Sequence, residues 1–140
     1  DSVVAADWLA CHLRWASTGV DAVAGLVDVA WRPDQRHLAQ RHSLALARGG
    51  TTTGHHHVHG ANLGVRASRW AEVGGCGDGE DGEDGELWRR LRAAGVAPLG
   101  VTDLRVRTSA RLHGRAPKGF SGYLRAMDRE PGDPRLRARR

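Results

Sequence analysis

The chain has 140 residues, a formal charge of +5 and a pI near 10.5, a size that suits one domain with a single core and not two. With 40% hydrophobic and 26% charged residues its composition is globular rather than disordered. It has no apolar run near the roughly 20 residues that cross a bilayer and no charged-then-apolar leader, so a cytoplasmic protein is expected. The basic balance invites a nucleic-acid partner, yet Lys118 is the single lysine and most arginines are scattered singly. The one basic cluster, Arg135, Arg137, Arg139 and Arg140 beyond Pro131 and Pro134, reads as a solvated tail over residues 128–140, and no nucleic acid is expected. Cys11 and Cys76 match no metal-ligand spacing and read as reduced thiols.

In chain order, Asp1-Ser2-Val3-Val4 opens without a methionine, which suggests a start inside a longer chain. From Asp7 as N-cap, Trp8, Leu9, Leu13 and Ala16 recur at helical spacing up to the stop signal Gly19. Val23, Gly25, Val27, Val29 and Trp31 then alternate with Ala22, Ala24, Leu26 and Asp28, the period of a strand buried over much of both faces. Pro33 ends it. Residues 34 to 48 read as helix, closed by Gly49-Gly50, and Thr51 to Gly54 as loop. Val58 to Val65 suits a short strand or an extended segment, with Ser68 capping a short helix that carries Trp70 and Val73 to Gly74-Gly75. Residues 77 to 85, where glycine alternates with acid, suit no regular element. A helix follows with Leu87, Trp88, Leu91 and Ala94 as its inner stripe and Gly95 as its end. Leu99 to Thr108 reads as a strand with Leu104, Val106 and Thr108 opposed to Arg105 and Arg107. Gly114 to Gly119 is a loop and Phe120 to Met127 a last helical segment. This succession of elements is that of an α/β protein.

The chemistry concentrates between His55 and Leu91. Glu83 and Asp84 open a helix, where the dipole and unpaired amides favour ionised carboxylates. Such a carboxylate in a cleft serves as a general base toward a hydroxyl; the plainer alternative is that the pair only caps its helix. Asp78, Glu80, Gly82 and Asp84 do not reproduce the order of a calcium loop. His55, His56, His57 and His59 lack the spaced partners of a zinc site and read as loop histidines, one of them bonded into the site.

The ordered set Asp1-Ser2-Val3-Val4, Asp7-Trp8-Leu9, Val23-Ala24-Gly25, His59-Gly60-Ala61-Asn62-Leu63-Gly64-Val65-Arg66, Val73-Gly74-Gly75 and Glu83-Asp84-x-x-Leu87 resembles the second half of a family 2 glycosyltransferase with the GT-A fold. Thr108-Ser109-Ala110-Arg111-Leu112-His113-Gly114-Arg115-Ala116-Pro117, with Gly119-Phe120 and Tyr123-Leu124, is similar to a bacterial branch of that family, and the likeness runs to about Met127. It implies that residues 1–127 are the acceptor-binding, catalytic half of a GT-A domain whose N-terminal nucleotide-binding half is absent. It implies inverting transfer from a nucleotide-sugar donor to a hydroxyl-bearing acceptor, with Asp84 as the base and Glu83 orienting acceptor or base. Asp1 matches the last acid of the family's Asp-x-Asp motif and implies Mg2+ or Mn2+ on the diphosphate, with His113 as a candidate late ligand. His59, Gly60 and Asn62 fall in a segment lining the pocket, Arg111 and Arg115 are candidates to steady phosphate, and Trp88 is a candidate to stack on a sugar, against a place in the core. The edge left by the missing half predicts self-association. Two other readings stand beside this one: a module holding anionic partners through its arginines, and a metal-binding protein built on the histidine cluster.

Overall fold

The computed structural model describes residues 2–48, 50, 54–77, 82–114 and 119–129. Its elements are β1 (Val3–Val4), α1 (Trp8–Ser17), β2 (Ala22–Ala30), α2 (Arg36–Arg48), β3 (Leu63–Val65), α3 (Ala67–Glu72), α4 (Glu83–Ala93), β4 (Leu99–Ser109) and α5 (Phe120–Arg129). Single 3-10 turns at Pro33–Gln35 and Gly60–Asn62 precede α2 and β3. The architecture is mixed α/β. Among the described residues, no helix is long and apolar enough to cross a membrane.

The four strands form one mixed sheet in the order β1-β4-β2-β3, with β2 and β4 parallel at its centre and the short β1 and β3 antiparallel at its edges. The alternation seen in β2 serves both faces of this sheet. Ala22 and Ala24 pack with Leu87, Trp88, Leu91 and Val96 on the α4 side, while Val23 packs with Cys11, Val101 and Leu104 on the α1 side. In β4, Leu104, Val106 and Thr108 are buried and Arg105 and Arg107 exposed, as the period of two requires. A third helical unit joins α2 to α5: Leu38 and Leu124 are fully buried, and His37 Nε2 meets Asp128 Oδ1 at 2.8 Å.

Two local expectations are corrected, and the N-cap position of Asp7 holds. Helix α1 turns Trp8, Cys11 and Trp15 toward the sheet, whereas Leu9 and Leu13 are 61% and 62% exposed. Positions 8, 11 and 15 also lie on one helical stripe, and the wide indole rings fill the space over β4, where Trp15 Nε1 donates to Asp103 Oδ1 at 3.1 Å. Ser68 does not cap α3: the helix begins one residue earlier, with Arg66 at the N-cap and no side-chain cap bond. Asp7 occupies the N-cap position of α1 but also makes no side-chain cap bond.

The centre of the sheet is irregular. Ala24 faces Gly100 and Leu26 faces Arg105, so β4 carries more residues than β2 over that interval and the backbone ladder is interrupted. The side chain of Asn62 enters the break. Its Nδ2 donates to Leu26 O at 2.8 Å and Leu104 O at 3.0 Å, and its Oδ1 accepts from Trp8 Nε1 at 2.9 Å. Gly25 is required beside it, since a Cβ there would lie 2.2 Å from Asn62 Nδ2 and 2.4 Å from Leu104 O.

Candidate functional site

Three elements converge on a cleft of about 610 Å³, within the roughly 300–1,000 Å³ range of small-molecule sites. The 3-10 turn brings His59, Gly60 and Ala61, the start of α4 brings Gly82, Glu83 and Asp84, and α5 with its preceding residue brings Gly119, Phe120 and Tyr123. His42, Ala45 and Leu46 of α2, with His57, Val27 and Thr108, complete the lining.

Asp84 is the organising side chain. Its Oδ2 accepts from the Gly60 amide at 2.7 Å and its Oδ1 from the Gly85 amide at 2.7 Å. Helix α4 is entered through Gly82 in the left-handed region at φ +78°, and the Asp84 carboxylate divides between the two elements, one oxygen on the first-turn amide of Gly85 and the other reaching across to the 3-10 turn. A carboxylate has about four lone-pair sites, and two amide bonds leave acceptor capacity for a hydroxyl. At Gly60 a Cβ would stand 3.6 Å from Asp84 Oδ2 and 3.8 Å from Glu83 Oε1, which places both carboxylates beside the same turn.

The histidines do not converge as metal ligands. His55, His57 and His59 alternate along an extended segment and stack, His55 on His57 with centroids 5.8 Å apart and His57 on His59 at 6.1 Å. His55 Nε2 bonds Val101 O at 3.0 Å and His57 Nε2 bonds Leu46 O at 2.9 Å. Among the described residues, no group of three or more His, Cys, Asp or Glu side chains is placed to hold a metal. Burial pushes the His59 imidazole below its ordinary value, aided by His57 and opposed by Asp84, and burial does the same to His42 and His55.

A histidine whose folded pKa is lowered binds its proton more readily in the unfolded chain, so stability present above about pH 6.5 is lost as pH falls through the folded values. Urea midpoints are expected to decline from about pH 7 to about pH 5, with His12, His42, His55 and His59 all contributing in the same direction. A midpoint constant across that window would contradict the neutral burial of these rings.

Of the residues expected at the site, Asp84, Glu83, His59 and Gly60 line the cleft. Asn62 does not: it is 0% exposed and its side chain is taken up by Trp8, Leu26 and Leu104, so its place is structural, two residues from Gly60. Trp88 does not either. It is 6% exposed in the cluster with Leu87 and Leu91, because the α4 stripe turns it to the sheet. Arg111 and His113 are exposed and are not among the lining residues. Asp1, Arg115, Asp78, Glu80 and the tail from residue 130 lie outside the described residues. His42, Thr108, Phe120 and Tyr123 line the cleft without having been singled out as site residues. His42 stood inside a helical pattern, and the only local hint was the Gly119-Phe120 and Tyr123-Leu124 pairing.

Several arginines of the described surface are paired with acids. Arg14 meets Asp103, Arg66 and Arg69 share Asp21, Arg89 and Arg90 meet Glu86, and Arg105 meets Asp28. Arg66 and then Arg69 hold the Asp21 carboxyl below the usual carboxylate range. Compared with family models, with curated proteins and with solved structures, the chain matches none.

Proposed function

We propose that this chain is the acceptor-binding, base-carrying half of an inverting, metal-dependent glycosyltransferase of the family 2, GT-A type that uses a nucleotide-sugar donor. The observation that carries the reading is the Asp84 carboxylate, held by the Gly60 amide at the mouth of α4 inside a cleft large enough for a sugar. The resemblance puts the family's base at the same residue. In the proposed reaction Asp84 takes the proton of the acceptor hydroxyl as that oxygen bonds to the anomeric carbon, and the bond from that carbon to the diphosphate oxygen breaks. Glu83 lies beside it and His59, kept neutral by burial, offers a hydrogen-bonding nitrogen for orienting the acceptor.

The cation comes from the resemblance, with Mg2+ or Mn2+ held through Asp1. The described residues include no group of three or more His, Cys, Asp or Glu side chains placed to join it. The reading is tested in the complete enzyme by NMR of the glycoside product. The anomeric centre is expected to be inverted relative to the donor, and EDTA to stop transfer until Mg2+ or Mn2+ is returned. A product of retained configuration would overturn single displacement by one base, and undiminished transfer in EDTA would overturn the metal requirement.

A further inference from the structure

The chain contains one phenylalanine and one tyrosine, and both line the cleft that holds Asp84. They sit one helical turn apart on α5 and stack with centroids 6.0 Å apart at 29°. The buried His42 ring stands edge-on to both, 5.9 Å from Phe120 and 6.2 Å from Tyr123, and edge-on to Trp31 at 5.5 Å. The packing of α5 is carried by Leu124 and Met127, which are buried, whereas Tyr123 remains 43% exposed. The aromatic pair is therefore a braced surface within the cleft rather than core.

We infer that the Phe120–Tyr123 pair, braced by His42, is the platform for a pyranoside acceptor, stacking on the apolar C–H face of the ring while its hydroxyl is presented to Asp84. This rests on the glycosyl-transfer reading and adds the acceptor class to it. A pyranose chair carries axial C–H bonds on its ring faces and hydroxyls around its rim, a pattern matched by an aromatic surface and polar acceptors in the same cavity. The cleft supplies both, with Phe120 and Tyr123 from α5 and Glu83, Asp84 and His59 from the other elements. Aromatic faces carry negative quadrupole density that attracts such polarised C–H groups. A simple straight-chain alcohol presents no such face.

The test is saturation-transfer difference NMR of the complete protein with the methyl glycosides of glucose, galactose, mannose and N-acetylglucosamine, and with uridine and adenosine as controls. At least one glycoside is expected to bind, with saturation strongest on its ring C–H protons. Tyr123→Ala and Phe120→Ala are each expected to weaken that binding about tenfold. Tyr123→Leu keeps apolar bulk without a ring and should weaken it similarly at an unchanged melting temperature. Asp84→Asn should retain glycoside binding while losing transfer. The inference is overturned if no glycoside binds, if affinity survives the loss of each ring, or if only the nucleosides depend on Tyr123, which would assign the platform to the donor's base. Transfer that persists in Asp84→Asn would instead overturn the underlying reading, whatever the ring variants do.

Discussion

Asp84→Asn is expected to lower kcat of the complete enzyme by about 10²–10⁴-fold, the usual contribution of a general base, with donor affinity unchanged. The substitution preserves shape. The amide oxygen of Asn can still accept from the Gly60 amide, which Asp84 Oδ2 now does at 2.7 Å. The amide nitrogen then stands where Oδ1 accepts from the Gly85 amide, losing one hydrogen bond to a charged acceptor, worth about 1.5–3 kcal/mol and less in a place open to water. The fold should therefore survive while basicity disappears. Single-turnover rates and a nucleotide-sugar titration separate the two effects. Turnover within about twofold of wild type would remove Asp84 from the role, because a carboxamide has no basicity with which to take the acceptor's proton. Glu83→Gln, at a carboxylate beside the same turn, is expected to have the smaller effect.

The largest stability loss is expected from Asn62→Leu. Leucine has the same branching with bulkier methyl ends, and it leaves Leu26 O, Leu104 O and Trp8 Nε1 without their partner. Each group so orphaned costs about 1–3 kcal/mol, so a loss of about 3–9 kcal/mol is expected against the roughly 5–15 kcal/mol that holds a domain together. Asn62→Asp should be nearly as damaging, since it keeps an acceptor for Trp8 but has no donor for the two carbonyls. Gly25→Ala attacks the same junction from the other side, with its Cβ 2.4 Å from the backbone oxygen of Leu104, which cannot swing away as a side chain does. Urea denaturation of the three variants reads these effects. A loss below about 1 kcal/mol for Asn62→Leu would show that water or backbone adjustment repairs the break. Because Asn62 is two residues from Gly60, the same variants should also loosen the amide that holds Asp84.

Much of the fold was legible because burial here follows local period. The alternation in residues 22 to 31 and 99 to 108 marked β2 and β4, and Gly19, Gly74, Gly75 and Gly95, all at positive φ, marked helix ends for the reason that only glycine enters that region without strain. Helix α1 was harder. Two stripes, Trp8-Leu9-Leu13-Ala16 and Trp8-Cys11-Trp15, both satisfy helical spacing, and the choice between them rested on Asp103 and Leu104, far along the chain. The strand β1 was not legible from two residues, since Val3 and Val4 acquire strand geometry only by pairing with Val106 and Arg107.

At the site, the carboxylate pair and the glycine turn were visible in sequence as chemistry without contact. Glu83, Asp84, His59 and Gly60 proved to share one cleft. Trp88, read as a sugar-stacking candidate against a place on the inner stripe of its helix, went to the core as that stripe indicated, and Asn62, which the resemblance put at the pocket, was claimed by the interrupted ladder. His42, Phe120 and Tyr123 had the spacing of ordinary helical residues, and nothing local distinguishes a ring facing a cleft from one facing a core.

By itself the sequence determined the α/β succession, the two-faced central strand, the helix ends and the concentration of acid, glycine and histidine between residues 55 and 91. Only the tertiary structure decided that Asp84 meets the Gly60 amide 24 positions away, that Asn62 repairs the break between β2 and β4, and that α5 turns its aromatic pair into the cleft. The physical reason is that periodicity sets which side of an element is apolar, whereas the partner of that side depends on strand register and loop closure over distances no local pattern encodes.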